Sequence, residues 1–283
     1  MLRIAVPNKG SLSETAAQML TEAGYRGRRD SRTLISVDER NGVEFFYLRP
    51  RDIATYVGSG AVDVGITGRD LLLDSNTEAT EIRSLDFADS TFRFAAPATE
   101  ITELAQLESK RVATSYPKLV GDFLAARGIS AKLVKLEGAV ESAVRLGVAD
   151  AVADVVSTGA TLRAAGLTIF GPIILESTAI LIGTEPSLPQ NNSATNRLLQ
   201  RLEGVLVARK YVMLEYDLEA EKLEAATAIS PGMEAPTVSP LSTAGWVAVR
   251  VMVPSDETAP IMDRLHELGA KAIIVTSIHA ARI

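Results

Sequence analysis

The stretch from Ala151 to Leu162 has residue types suited to binding a phosphate group. It begins as an apolar, β-prone run and continues as Ser-Thr-Gly-Ala-Thr before a helix-like pattern. Free backbone N–H groups at a helix start, hydroxyl donors and the helix dipole all favour an anion, and Gly159 lets the backbone approach it closely. An ordinary strand–helix turn, in which Ser and Thr act as N-caps, fits the same residues.

Asp154 lies at the predicted carboxyl end of this strand, which is where parallel α/β sheets bind ligands. Its carboxylate is suited either to accepting hydrogen bonds from sugar hydroxyls or to helping hold a metal ion. Tyr116 also follows a predicted strand, Arg111–Ser115, and precedes a helix. It is suited to stacking on a flat ring, although a packed loop tyrosine is an equal alternative.

Basic residues follow two further predicted strands. Lys9 and Gly10 come directly after the strand Leu2–Val6 and precede a helix that begins with capping-box spacing. Arg49 ends the strand Glu44–Leu48 and is therefore a better ligand candidate than Arg51, which lies inside the next helix. For Lys9, a solvated surface lysine is the alternative.

An arginine-rich segment adds further positive charge, and its arginines are Arg26, Arg28, Arg29 and Arg32. A solvated loop is the simpler interpretation of this segment.

An internal echo relates two parts of the chain. Gly60–Gly68 and Gly147–Asp154 both follow a predicted helix, contain Gly-x-x-Asp and continue as a strand that ends in a polar turn. The spacing between them is too long for a solenoid repeat. Two related α/β lobes explain the echo better, and the strand ends at Thr67–Asp70 and Asp154–Thr161 would then face one cleft.

The composition excludes several classes of function. The 283 residues include no cysteine and two histidines, so thiol nucleophiles, disulfides and cysteine-based zinc sites are excluded. A net charge of −6 argues against a general nucleic-acid binder. No run of about 18 apolar residues, no secretory signal and no P-loop motif occurs, so we expect a soluble cytoplasmic protein that is not a P-loop kinase.

The predicted elements form an α/β protein with an additional C-terminal module. Gly138–Leu146 is predicted to be a helix that carries Glu141, and Ala235–Pro240 a short strand. From about Lys210 the pattern reads βαββαβ, which is the ferredoxin-like arrangement of a regulatory or oligomerisation module. We predict a first lobe over residues 1–90 that residues 178–209 rejoin, a second lobe over 91–177, and a ferredoxin-like domain over 210–283.

Three motifs together resemble the ATP phosphoribosyltransferase family, the first enzymes of histidine biosynthesis. They are Val6-Pro7-Asn8-Lys9-Gly10, Gly65-Ile66-Thr67-Gly68-Arg69-Asp70 and Asp154-Val155-Val156-Ser157-Thr158-Gly159-Ala160-Thr161-Leu162. The C-terminal module resembles the regulatory domain of the long form of these enzymes. The resemblance covers essentially the whole chain, and it implies two lobes like those of type II periplasmic binding proteins.

The resemblance implies a reaction in which adenine N1 of ATP attacks phosphoribosyl pyrophosphate (PRPP), giving phosphoribosyl-ATP and pyrophosphate. It assigns the PRPP 5′-phosphate to Ser157, Thr158, Gly159, Ala160 and Thr161, and the ribose hydroxyls to Asp154. It assigns ATP and the remaining phosphates to Lys9, Gly10, Arg32, Arg49, Asp70, Leu71 and Tyr116. Lys9, Arg49 and Asp154 are the implied catalytic residues.

The resemblance also implies a metal, an inhibitor and an assembly. Mg²⁺ would arrive mostly on the substrate phosphates, with no firm protein ligand. Feedback inhibition by histidine is implied, with Asp217 pairing with its ammonium and Met233, Ala235, Thr237 and Ala272 forming the pocket. Dimers and hexamers of the chain are implied as well.

One departure concerns the generic PRPP motif of other phosphoribosyltransferases, which places two adjacent acids before Thr-Gly. This chain has Ala153 at the first of these positions, so we do not transfer the metal-binding role of that motif. A non-enzymatic two-lobed binding or sensor protein stays as the alternative function.

Overall fold

The computed structural model describes residues 1–28, 30 and 32–282. These residues form two compact units, one made of Met1–Thr21 with Tyr25–Arg197 and the other of Glu22–Gly24 with Leu198–Ile283. Arg29 of the arginine-rich segment lies outside the described residues. In the described part of the chain, no helix has both the length and the apolar character needed to cross a membrane.

The strands, in chain order, are β1 (Leu2–Pro7), β2 (Ile35–Asp38), β3 (Val43–Leu48), β4 (Val64–Gly68), β5 (Thr80–Ser84), β6 (Ser90–Ala96), β7 (Arg111–Thr114), β8 (Lys132–Lys135), β9 (Ala151–Val156), β10 (Thr168–Ser177), β11 (Ala179–Gly183), β12 (Tyr211–Glu219), β13 (Thr237–Pro240), β14 (Trp246–Pro254) and β15 (Lys271–Ser277). The α-helices are α1 (Ser11–Glu22), α2 (Pro50–Gly58), α3 (Arg69–Ser75), α4 (Pro117–Ala125), α5 (Ser142–Arg145), α6 (Ala160–Ala164), α7 (Ser193–Lys210), α8 (Leu223–Ile229) and α9 (Thr258–Leu268).

The first unit contains two sheets with the same internal order. One runs β2-β3-β1-β4-β11-β5 and the other runs β10-β6-β9-β7-β8. In the first sheet β1 pairs in parallel with β3 and β4, and β11 is added antiparallel to β4. In the second sheet β7 pairs in parallel with β8 and β9, and β6 is added antiparallel to β9. We call the first sheet with its helices the first lobe, and the second sheet with its helices the second lobe. This paired-lobe arrangement confirms the predicted type II periplasmic-binding-protein-like fold.

The chain passes between the lobes twice, from β5 to β6 and from β10 to β11. The two crossings are hydrogen-bonded to each other. The amide of Leu85 donates to the carbonyl of Ala179 at 2.9 Å, and the hydroxyl of Thr178 donates to the carbonyl of Phe87 at 2.9 Å. The two segments that connect the lobes are therefore held side by side by hydrogen bonds.

The sequence echo has a structural explanation at the amino ends of the strands. Arg3 in β1 pairs with Asp63 just before β4, at 2.9 Å, and Arg111 in β7 pairs with Asp150 just before β9, at 2.7 Å. In both lobes the arginine backbone N–H also donates to the same carboxylate. The Gly-x-x-Asp repeat therefore supplies an ion pair that joins β1 to the start of β4 in the first lobe and β7 to the start of β9 in the second.

The second unit contains a four-stranded antiparallel sheet in the order β13-β14-β12-β15. With α8 after β12 and α9 after β14, this is the split βαβ topology of a ferredoxin-like module, as predicted. Leu214, Tyr216, Val251 and Leu265 belong to its buried core. Gly269 ends α9 in the left-handed conformation at φ 99°, which suits glycine.

Some of the local predictions were wrong. The predicted helix Gly138–Leu146 is reduced to Ser142–Arg145, because Gly138 and Ala139 have φ of 132° and 47°, outside the helical region. Glu141 is its N-cap residue. The predicted strand Ala235–Pro240 is limited to β13, and the edge strand β2 has no counterpart among the predicted elements.

We predict that Asp150→Ala lowers the free energy of unfolding by about 1–2 kcal/mol, because it removes both the ion pair and the acceptor of the Arg111 amide. Hydrogen bonding from Arg111 lowers the pKa of Asp150. The stabilisation is therefore present above the unfolded-state pKa and is lost as the pH falls through the folded-state value. Urea unfolding at neutral and acidic pH measures both effects. Asp122→Ala, which removes an exposed pair with Lys118, is the control and should change little; equal losses in the two variants would contradict the prediction.

Candidate active site

The carboxyl ends of the parallel strands in the first lobe meet at one edge, because β1 pairs in parallel with both β3 and β4. Lys9 and Gly10 follow β1, and Arg49 follows β3 as the N-cap residue of α2. All three are exposed. Pro50 at the first position of α2 ends the strand and fixes this turn. The two predicted cations are therefore available to an anion at this edge.

Asp70 follows β4 at the start of α3 and is buried, with 7% of its surface exposed. Its Oδ1 accepts a hydrogen bond from the hydroxyl of Ser177 at 2.7 Å, and its backbone N–H donates to the same hydroxyl at 3.1 Å. Ser177 ends β10, the strand that leads into the second crossing. A Cβ at Gly68 would collide with the Asp70 carboxylate, so any larger residue there would displace that carboxylate from its present position.

Tyr116 follows β7 in the second lobe and is held on several sides. Its ring packs edge-on against Phe92 with centroids 5.0 Å apart, and the guanidinium of Arg51 lies 4.6 Å from its centroid. Burial raises the pKa of the Tyr116 phenol, and the charge and hydrogen bonding of Asp70 raise it further. The phenol therefore stays protonated at neutral pH.

Asp154 lies near the end of β9, and its Oδ1 accepts the backbone N–H of Val155 at 2.8 Å. Burial raises the pKa of Asp154, and the negative charges of Glu141 and Asp70 act in the same direction. The Val155 hydrogen bond and the positive charge of Arg51 oppose this increase. Asp70 and Arg51 of the first lobe thus act electrostatically on Asp154 of the second.

The loop after β9 contains the residues predicted to bind a phosphate. Gly159 is left-handed, with φ 69° and ψ 9°, and α6 begins at the next residue. The hydroxyl of Thr158 accepts the amide of Ala160 at 3.4 Å. Gly159 is buried, whereas the other residues of the loop are exposed: Ser157, Thr158, Ala160 and Thr161.

Two further residues that were predicted to bind ATP differ from each other in exposure. Leu71, beside Asp70 in α3, is buried at 9% exposure. Arg32 is exposed, and its backbone N–H donates to Asp30 at 2.9 Å. Its place in the site stays a prediction.

Arg51, Asp74 and Ser177 are the residues at this cleft that sequence reasoning ranked low or missed. Arg51 and Asp74 lie inside helices, and Ser177 lies 107 positions from its partner Asp70. No local pattern of residues in the sequence pointed to Asp74 or Ser177.

The predicted effector residues line two neighbouring depressions in the second unit. One, of about 390 Å³, is lined by Asp217, Thr237 and Ala272, and the other, of about 420 Å³, by Met233, Ala235 and Thr237. Thr237 and Arg250 contribute to both. Ala272 has φ 48°, next to a register shift between β12 and β15 at Asp217.

Clustered ligands for a metal ion are not found in the described ranges, since no group of three or more His, Cys, Asp or Glu is suitably placed. Mg²⁺ commonly binds through one or two carboxylates together with substrate phosphates and water. The carboxylates and exposed cations of this cleft fit that mode, in which phosphates supply most of the ligands.

Comparison with known proteins gives concordant matches. The family model described as HisG, ATP phosphoribosyltransferase, matches residues 49–204, and the HisG C-terminal domain model matches residues 208–280. The ATP phosphoribosyltransferase of Arthrobacter sp. is 61% identical over 286 residues, and that of Streptomyces coelicolor 56% identical over 285, with both chains fully covered each time.

A solved structure, the ATP phosphoribosyl transferase (HisG:HisZ) complex from Thermotoga maritima, matches with a TM-score of 0.64 and 26% identity. The match covers 73% of this chain and 98% of that one.

We predict that Asp154→Asn raises the melting temperature at neutral pH. A carboxylate whose folded-state pKa is raised costs stability while ionised, and an amide does not carry that cost. The gain should shrink as the pH falls through the folded-state pKa, and it should be absent below the unfolded-state value. Thermal melts across a pH series test this, with Asp256→Asn as an exposed control. A melting temperature that falls at neutral pH would contradict the prediction.

Proposed function

Because this chain belongs to the ATP phosphoribosyltransferase family, which joins ATP to PRPP in histidine biosynthesis, we propose that its cleft binds the two substrates from opposite lobes. PRPP is held by the loop after β9, and ATP by the strand ends of the first lobe together with Tyr116. One observation supports a single site: Arg51 of the first lobe lies 4.6 Å from the ring of Tyr116 in the second, and buried Asp70 is close enough to raise the pKa of both Tyr116 and Asp154. Family membership sets aside the non-enzymatic binding or sensor protein.

The second lobe binds PRPP through the residues of its loop. Exposed hydroxyls and backbone N–H groups from Ser157 to Thr161 receive the 5′-phosphate, and Gly159 allows the loop to close around it. Asp154 accepts hydrogen bonds from the ribose hydroxyls, which requires its ionised form. The raised pKa of Asp154 in the unliganded chain implies that PRPP binding weakens in acid.

The first lobe supplies positive charge to the other phosphates. Lys9 and Arg49 are exposed at neighbouring strand ends, Arg32 adds a third cation, and Gly10 contributes its backbone N–H group. Leu71 and Tyr116 form the walls of the adenine pocket, with Asp70 at its polar end.

The reaction requires that the two substrates be oriented and that the developing charge be stabilised. It does not require a protein nucleophile. The bond from the anomeric carbon to pyrophosphate breaks, the bond to adenine N1 forms, and the adenine amino group loses a proton. Lys9 and Arg49 stabilise the charge that develops on the departing pyrophosphate, and Asp154 holds the sugar in place. When bound, Mg²⁺ neutralises phosphate charge, and we propose that the substrates carry it.

Histidine is the proposed inhibitor, and the second unit its site. Asp217 faces a depression of about 390 Å³ and is suited to pairing with an ammonium group. Met233, Ala235, Thr237 and Ala272 complete the pocket. We also propose the domain limits predicted above, a cytoplasmic location, and dimers and hexamers of this chain.

Mixing the protein with ATP, PRPP, Mg²⁺ and pyrophosphatase tests the activity by ultraviolet absorbance. A new chromophore is expected, and its absence would overturn the assignment.

We predict that Thr161→Ala weakens PRPP binding by about 1.5–3 kcal/mol, the range for a hydrogen bond to a charged group. ATP binding should change little, because the ATP residues lie elsewhere in the cleft. Calorimetric titration of each substrate separates the two effects. Thr102→Ala, which alters an exposed hydroxyl elsewhere in the second lobe, is the control. Unaltered PRPP affinity would count against the phosphate assignment.

We predict that Asp217→Asn raises the histidine concentration needed for half-inhibition by about tenfold or more, since it removes a charge-assisted hydrogen bond. The turnover number without histidine should stay the same. Inhibition curves on the full chain measure this, and Asp263→Asn, on the exposed side of α9, serves as the control. Full inhibition of the Asp217 variant would place the effector site elsewhere.

A further inference from the structure

Asp74 of the first lobe joins α3 to the first turn of α4 in the second lobe. Its Oδ1 accepts the backbone N–H groups of Lys118 at 3.0 Å and Leu119 at 3.2 Å. Its Oδ2 accepts Nη1 of Arg51 at 3.0 Å. Only 9% of the Asp74 side chain is exposed, compared with 44% of the Arg51 side chain, and both carboxylate oxygens have partners.

Two amides at the start of α4 are thus capped from the other lobe. An N-cap residue usually satisfies such amides with its own side chain. Here the N-cap residue is Tyr116, whose ring instead faces Phe92 and Arg51. Asp74 takes over this function, and its negative charge also complements the positive end of the helix dipole.

Arg51 contacts both Asp74 and Tyr116. While it pairs with Asp74, its guanidinium also lies over the ring of Tyr116, where a cation–π attraction operates. We call Arg51, Asp74, Tyr116 and the amides of Lys118 and Leu119 the cross-lobe clasp. It fixes the ring of Tyr116 from one face and fixes its backbone from the following residues.

We propose that Arg51 and Asp74 are positioning residues that hold Tyr116 at the separation from the first lobe that ATP requires. The proposal rests on the proposed placement of adenine against Tyr116. Since Arg51 covers one face of the ring, a purine base stacks on the opposite face. PRPP depends on the loop after β9 and on Asp154, none of which is among the hydrogen-bond partners of Asp74 given above, so the Asp74 variants test ATP binding most selectively.

The test measures KM for each substrate in Asp74→Ala and Asp74→Asn. Asp74→Ala removes the cap and the ion pair, so we expect KM for ATP to rise about tenfold, with KM for PRPP within about twofold of its original value. Asp74→Asn keeps an oxygen acceptor for the α4 amides and should give an intermediate rise. Asp122→Ala, on the exposed face of the same helix, should leave both values unchanged.

Arg51 variants test whether the clasp acts as a unit. Arg51→Lys retains the charge opposite Asp74 but loses the planar group over Tyr116, so it should raise KM for ATP less than Arg51→Ala does. Arg51→Ala combined with Asp74→Ala should raise KM for ATP by less than the product of the single effects. Hydrogen exchange of a peptide spanning residues 116–121 should become faster in Asp74→Asn.

The outcomes separate the clasp from the site that it serves. Equal changes of both KM values would indicate a merely structural role and would overturn the proposal. If Tyr116→Ala raises KM for ATP but Asp74→Ala and Arg51→Ala do not, the proposed positioning role of Arg51 and Asp74 is wrong. The assignment of Tyr116 to the adenine pocket is then still supported. If none of the three changes KM for ATP, the pocket assignment itself fails. Should Asp74→Ala not fold, Asp74→Asn and Arg51→Lys carry the test.

Discussion

A carboxylate removed from water must be compensated by hydrogen bonds or positive charge, and Asp70 meets this requirement between the two lobes. Its backbone and side chain both bond Ser177, on the strand that leads back toward the first lobe. Its charge reaches Tyr116 and Asp154 on the other side. Burial is the main cause of the raised pKa values of Tyr116 and Asp154, and the charge of Asp70 adds to it in both. Asp70 therefore connects the crossing strand with the two ionisable groups of the second lobe.

The two lobes divide the chemistry by charge. The first presents the exposed cations Lys9 and Arg49 at the ends of parallel strands, where anionic groups are attracted. The second presents a hydroxyl-rich loop and a half-buried carboxylate, which suit a phosphate and sugar hydroxyls. A transfer between two phosphate-bearing substrates needs both kinds of surface on facing sides of a cleft, because each substrate must be held while the bond at the sugar carbon is exchanged.

Both lobes have the same strand topology, and an arginine–aspartate ion pair stabilises each of them. The ion pair of Arg3 with Asp63 joins β1 to β4, and that of Arg111 with Asp150 joins β7 to β9, at the end remote from the cleft. This arrangement leaves the carboxyl ends of the strands free for ligand-binding residues. Stability and function are thus located at opposite ends of each sheet, and the third sheet, in the second unit, carries the proposed regulatory site.

The sequence by itself determined the α/β alternation, the ferredoxin-like module and the polar strand ends, because apolar periodicity and turn residues act over a few positions. It did not determine the short helix α5, where positive φ angles at Gly138 and Ala139 override the apolar pattern. The sequence identified Asp154 and the loop after it as candidate ligand-binding residues, but it did not reveal the burial and the neighbouring charges around them. Only the tertiary structure brought Ser177 to Asp70, 107 positions away, and Asp74 to Lys118, 44 positions away. Contacts of this kind arise from the packing of whole sheets and helices, so no local pattern of residue types records them.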